Sequence, residues 1–280
     1  MGYKNLATRT LPGLIVLIVD HSEGNNQNVD NADRLVNSII AEWGLVLSMT
    51  DDEGNELVID DLYICCIIHE SRKAIILKEG PISSFIDSPI AVEENVKDEF
   101  GAIWNRPIYI PSISNGEPNL AAAFKLAKQR ILEWKFAHVK DIGSISTPLV
   151  INFLCQPIPD FDVNKVEIAA NSMKDVPFPD GRPILLNILL GNWYENCFFP
   201  VHERDIGVID RESLLLYRIS SLFDSELRAI NEERILGAFS YWREGREIDA
   251  EARLMIGGDN KSIFLSLIEF PLWFHLRGLE

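Results

Sequence analysis

Residues 14–19, Leu-Ile-Val-Leu-Ile-Val, form an unbroken apolar run rich in β-branched side chains, bounded by Pro12-Gly13 on one side and Asp20 on the other. Such a run reads as a strand buried on both faces of a parallel sheet, and a central strand of this kind implies an α/β fold. Directly after it come Asp20, His21, Ser22, Glu23 and Gly24. In open α/β sheets ligands sit in the crevice outside the carboxyl ends of the strands, so Asp20 and Ser22 stand where a site would be built. An Asp-x-Ser at that position supplies half of the oxygen donors of a metal site.

The rest of the chain alternates strands with helices. Acidic residues at 30–33 can cap a helix start, and Leu35, Val36, Ile39, Ile40 and Trp43 follow at helical spacing. Residues 45–50 and 56–59 flank a polar turn with Gly54 free to take positive φ, the pattern of a hairpin. Two further strands, 62–68 and 74–77, surround a short polar turn and form an antiparallel pair. The stretch 81–105, punctuated by Pro81, Pro89 and Pro107, is ambiguous, a short helix at 93–104 being one reading of it. The segment 118–136 is an amphipathic helix, with Pro118 in its first turn, where its missing N–H is not needed. A second buried strand at 149–154, a helix at 163–173, a third buried strand at 183–190 and a long helix at 210–231 complete the pattern. The expected architecture is a three-layer, doubly wound, mostly parallel sheet with an antiparallel edge strand and helices on both faces.

Residues 1–231 carry this pattern, and residues 232–280 form a C-terminal extension expected to pack on the domain. Residues 252–274 in that extension read as a hairpin turning at Gly257-Gly258. The aromatic cluster Phe270, Trp273 and Phe274 either packs back on the domain or docks a partner.

With 280 residues, 47% hydrophobic and 24% charged, the chain can bury a large core. Its net charge of −16 and the absence of a basic stripe argue against nucleic-acid binding. The N-terminal residues lack the pattern of a secretory leader and the 14–19 run is too short to span a bilayer, so a cytoplasmic location with no membrane contact is expected. Cys65 and Cys66 are adjacent in a strand, point to opposite faces and cannot share a metal. The five histidines show no i, i+4 pair and no His-Glu-x-x-His pattern. No phosphate-cradling glycine loop follows any strand, and His21-Ser22-Glu23-Gly24 lacks the first glycine of a nucleophile elbow.

Several segments together resemble a known family. Leu11-Pro12 followed by a buried strand and Asp20-His21-Ser22-Glu23-Gly24 is similar to the opening of von Willebrand factor A domains, in particular the bacterial cytoplasmic proteins related to the tellurium-resistance group. Gly116-Glu117-Pro118-Asn119-Leu120 followed by alanines resembles that family's second loop and helix. Cys155-Gln156-Pro157-Ile158-Pro159 stands at its third loop. Phe199-Pro200 and the Ser220-Ser221 pair resemble its last elements. In the family a divalent metal is held by the first Asp, two Ser hydroxyls, a Thr hydroxyl and a later Asp. The matching positions here are Asp20, Ser22, Gly24, Pro118 and Gln156. Of these only Asp20 and Ser22 can act as in the family, and Gln156 offers an amide where a carboxylate is lost. A hard cation such as Mg²⁺ needs charged oxygen ligands, so weak or absent Mg²⁺ or Mn²⁺ binding is expected.

The resemblance thus implies a non-enzymatic protein–protein interaction module with a degenerate metal-ion-dependent adhesion site, without a cofactor. Its partner would be a protein, a kinase or phosphatase of a bacterial stress-signalling system among the candidates. Its contact loops would contain Glu23, Gly24, Glu117, Pro118, Asn119 and Asp160. Two rivals stay open. One is a metal-dependent adhesion-type module in which Glu23, Glu117 or Asp160 replaces the lost ligands. The other is a hydrolase or phosphotransferase using Asp20. A plainer role for Asp20 is to accept backbone hydrogen bonds from its own loop, and for Ser22 to act as a turn or capping residue.

Overall fold

The computed structural model describes residues 5–21, 26–50, 54, 56–70, 73–97, 103–111, 116, 118–154, 163–190, 211–223, 225, 227, 252–258 and 274–275. Strand β1 (Gly13–Asp20) is buried along its whole length. It lies between β4 (Leu62–Glu70) and β8 (Leu149–Leu154), parallel to both. The six-stranded sheet has the order β10-β9-β8-β1-β4-β5, completed by β5 (Lys73–Pro81), β9 (Ile184–Leu190) and β10 (Met255–Gly258). Every neighbour pair is parallel except β4 with β5, which is antiparallel and sits at the edge. The chain winds outward from β1 through β4 to β5, then returns to β8 and winds the other way. The strand order therefore reverses between β1 and β8, and the crevice of this fold opens at their carboxyl ends.

Side-chain alternation along the strands separates two cores. Ile15, Leu17 and Val19 of β1 pack with Leu35, Val36, Ile39, Ile40 and Trp43 of α1 (Asn26–Val46) and with Phe85 of α2 (Ile82–Ile86). Leu14, Val16 and Ile18 pack on the other face against α3 (Leu120–Ala137), α4 (Val163–Lys174) and α5 (Arg211–Ile219). Fully burying an aliphatic side chain stabilises by about 1.5–3 kcal/mol, so two such layers on an apolar sheet fix the order of the inner strands. Cys65 faces the second core and Cys66 the first, on opposite faces as expected. Burial pushes the Cys65 thiol up to about 12 and Cys66 higher still, so neither is a thiolate at neutral pH.

Several elements differ from the sequence reading. Helix α1 begins at Asn26, so Asp33 is an interior, buried helical residue rather than part of a cap. The first small hairpin pairs β2 (Ser48–Thr50) with β3 (Glu56–Val58), Leu45 remaining in α1, and Gly54 has φ +85° in the turn. Residues 93–104 are not helical. They belong to an antiparallel hairpin of β6 (Ala91–Lys97) and β7 (Ile103–Ile108), with a register shift between Glu93 and Val96 where Asn95 takes φ 58°. Asn105 accepts the Asn95 N–H at 3.3 Å, which helps to hold that left-handed residue.

Pro118 precedes α3 instead of lying in its first turn. The cap is Asn119, whose side chain accepts the Ala122 N–H at 3.0 Å. Helix α5 stops at Ile219, and residues 221–223 are extended: the Ser221 N–H donates to the Leu185 carbonyl, and Leu222 bridges Arg253. Ser225 and Leu227 are helical again, and the rest of the expected helix to residue 231 lies outside the described residues. In the extension, Gly257 and Gly258 lie within β10, paired with Leu189 and Leu190, rather than in a hairpin turn. The second arm expected at 262–270 lies outside the described residues. Ala252, Leu254, Ile256 and Phe274 join the core on the α1 face.

Candidate functional site

The site is built at the carboxyl end of β1. Register places Asp20 beside His69 of β4, and alternation directs both to the face covered by α3, α4 and α5. Both are fully buried, with His69 Nδ1 3.8 Å from Asp20 Oδ1. That separation is an electrostatic contact rather than a hydrogen bond. Burial holds the His69 imidazole below its ordinary value. The Asp20 carboxylate opposes this and His21 adds to it, so the ring is neutral at physiological pH. Neither ring nitrogen of His69 has a hydrogen-bond partner among the described residues.

His21 points to the other face. Its Nε2 lies 2.7 Å from Oδ1 of Asp33 on α1, and both residues are buried. Its backbone N–H donates to the His69 carbonyl at 3.2 Å, extending the β1–β4 pairing one residue past the strand. The loop that leaves β1 is thus anchored at its root by His21 and where the chain has entered α1 by Asp33. A second anchor serves the β6–β7 hairpin. Asn37 of α1 donates to the Ile110 carbonyl at 2.9 Å and accepts the N–H groups of Tyr109 and Ile110 at 2.6 and 2.9 Å. All three backbone groups are thereby satisfied inside the protein.

One strand further out, Asn152 of β8 donates to Asn187 of β9 at 2.8 Å. Asn187 donates to Ser220 Oγ at 2.8 Å and to the Leu216 carbonyl at 3.1 Å. All of these side chains are buried. Asn152 pairs in register with Ile18, one pleat before Asp20 on the same face. The carboxyl half of the sheet therefore carries a polar layer on its α3–α5 side where the rest is apolar.

Of the positions singled out in the sequence, the structure places Asp20 at the strand end and Asn119 as the α3 cap, with Pro118 just before it. Ser22, Glu23, Gly24, Glu117, Gln156 and Asp160 lie outside the described residues. Sequence reasoning missed His21, Asp33, His69 and Asn37. The available signal was that His21 and His69 each end an apolar strand, but their adjacency depends on a register between segments 49 residues apart.

Asp20 is fully buried beside the His69 imidazole, and the matching positions Ser22, Gly24 and Gln156 lie outside the described residues. No group of three or more His, Cys, Asp or Glu able to hold a metal occurs among the described residues.

No family model and no curated protein sequence matches the chain. Solved structures do. The pilus adhesin SpaC of Lactobacillus rhamnosus GG, in an open conformation, superposes with a TM-score of 0.50 at 9% identity, over 94% of this chain and 30% of SpaC. Manganese-loaded Plasmodium vivax TRAP protein gives 0.41 at 13% identity, over 95% of this chain and 74% of that one. Proximal thread matrix protein 1 of the mussel byssus gives 0.38 at 9% identity, over 67% of this chain and 40% of its own. The chain thus spans less than half the length of SpaC and of the mussel protein. At these identities the likeness concerns the fold alone, and the SpaC superposition is the one that bears on it. Sheet order and superposition together define a doubly wound, mostly parallel α/β fold with an antiparallel edge strand. Among the described residues no helix is long and apolar enough to cross a membrane.

Proposed function

We propose that this chain is a non-enzymatic protein-interaction module of von Willebrand A type that engages its partner without a bridging metal. The observation that carries this reading is the inward placement of Asp20, fully buried and beside His69. A carboxylate serving a metal shared with a partner has to be reached from outside, and Asp20 is fully buried. Partner contact then falls to the loops around the crevice, with Glu23, Gly24, Glu117, Pro118, Asn119 and Asp160 as contact residues. Gln156 stands where the family's second carboxylate is lost, and Ser22 is left as a vestigial donor. The family resemblance supports a cytoplasmic partner in phospho-signalling, a protein kinase or phosphatase.

The test is binding of the purified chain to the kinase and phosphatase of its own organism, with and without chelator. Binding that survives chelation and is lost in Glu23→Lys/Glu117→Lys supports the proposal. Binding abolished by chelator would favour a metal-dependent adhesion-type module. Turnover of a phosphomonoester that disappears in Asp20→Ala would make the protein a hydrolase.

A further inference from the structure

Two faces of the molecule carry opposite charge. Residues 26–61, which span α1 and the β2–β3 hairpin, hold nine Asp or Glu against one cation, Arg34. Residues 120–140, which span α3 and the turn after it, hold five Lys or Arg against one acid, Glu133, in a chain with 26 cations and 42 anions. Helix α1 packs on one side of the sheet and α3 on the other, so the two charges look in opposite directions. On the acidic side, Asp33 is buried against His21. On the basic side, Arg130 pairs with Glu79 at 2.7 Å and with Glu133. Lys128, in contrast, donates to Ser172 Oγ at 2.6 Å and Lys135 to the Pro177 carbonyl, neutral acceptors that leave both positive charges in place.

Each charged face also presents apolar side chains. Val58 of β3 packs on the core, which turns the facing pair Met49 and Leu57 outward, and Leu45 in the last turn of α1 is 68% exposed. Ser48 Oγ, donating to the Gly44 carbonyl at 2.7 Å, ties the hairpin to that turn. On the opposite face Phe136 and Val139, at the end of α3, are 72% and 61% exposed. Both helices return the chain toward the amino end of a strand parallel to β1, so the two apolar sets lie at the pole away from the crevice. Single exposed apolar residues are ordinary. Two clusters at one pole, each set in charge of opposite sign, are complementary surfaces. We infer that the α3 face takes the α1–hairpin face of a second copy of this chain. Pairing like faces about a two-fold axis would set like charges together, so the contact joins unlike faces. It leaves one of each free on the pair and therefore propagates as a ring or an open stack, with the crevice open in every copy.

The test is the mass of the purified full chain in solution, followed by sedimentation over a range of concentrations. At low salt the weight-average mass should rise with concentration past that of a dimer. In about 0.5 M salt it should fall back toward the monomer, because exposed charges are then screened within a few ångströms. Leu45→Lys and Phe136→Glu each remove an apolar anchor from one face and place the wrong charge there, at exposed positions that the core does not use. Either variant alone should stay monomeric. An equimolar mixture of the two should form a one-to-one dimer and grow no further, since each keeps the face that the other has lost. Should a variant fail to fold, the concentration and salt dependence of the wild type decides alone. A monomer at every concentration in low salt would overturn the contact between copies. A closed dimer, or a mixture of the folded variants that stays monomeric, would overturn its head-to-tail form.

Discussion

Both ends of β1 hold fully buried histidines, one at the amino end and two at the carboxyl end, and the two ends treat them in opposite ways. At the amino end, His275 from the C-terminal segment lies over Gly13. Its Nδ1 is 3.1 Å from Ser146 Oγ, and its carbonyl accepts the Ala7 N–H at 2.8 Å. Burial alone pushes this imidazole down to about 3, so the contact is a neutral, packed closure joining the two ends of the chain to the sheet. At the carboxyl end, His69 and His21 sit equally deep but against the carboxylates of Asp20 and Asp33. Keeping carboxylates in the interior costs several kcal/mol in desolvation, which their partners must repay. Packing alone would not require it. The cost falls at the end where an α/β sheet holds its ligands, and the inexpensive closure falls at the other.

Four outcomes follow from this contrast. The largest concerns acid. His275 is neutral in the folded chain down to about pH 3, whereas the unfolded chain takes up a proton near pH 6.5. Its folded value is depressed, so its contribution is complete above about pH 6.5 and is lost as the pH falls toward 3. The loss should reach roughly 3–5 kcal/mol. Denaturant unfolding of wild type and His275→Gln across that range should show a much flatter curve for the variant; parallel curves would mean that the amino end is not the closed site described.

At the carboxyl end, Asp33→Ala leaves His21 Nε2 buried without its partner. It should lower stability by about 2–4 kcal/mol. If equilibrium unfolding shows a loss under 1 kcal/mol, the two ends differ less than their geometry implies.

A smaller effect is expected at Gly13, where an added Cβ would lie 2.5 Å from His275 Nδ1 and 2.6 Å from its Cγ. Gly13→Ala should cost about 1–3 kcal/mol by overpacking. Much of that should be recovered in the background of His275→Ala, because residues in contact couple in a double-mutant cycle. Additive losses would place the strain elsewhere than against the ring.

How far the sequence foretold all this depends on the kind of signal. β1, β8 and β9 were legible because strands buried on both faces are continuous apolar runs, and α3 because its apolar face is broad. The β6–β7 hairpin was not. Glu93, Glu94 and Lys97 give the segment the look of an exposed helix, and its pairing rests on a bulge at Asn95 that no periodicity shows. The end of α5 was misjudged because the cations that cap its last carbonyls come from far away in the chain, Lys174 by 45 positions and Arg253 by 35 and 33. At the candidate site, Asp20 was visible from its place after an apolar run. His69, His21 and Asp33 were not, because histidines without local spacing acquire meaning only when strand register brings them together.

The inward engagement of Asp20 is tested most directly by thermal unfolding of the chelated protein with and without millimolar Mg²⁺ or Mn²⁺, for wild type and Asp20→Ala. A cation that binds only the folded chain would add about 2.7 kcal/mol at a hundredfold excess over its Kd, a plainly visible rise in Tm. The expected result is the same midpoint with and without metal. A metal-dependent rise that vanishes in Asp20→Ala would mean that Asp20 serves a working cation site and that the partner is bridged through it.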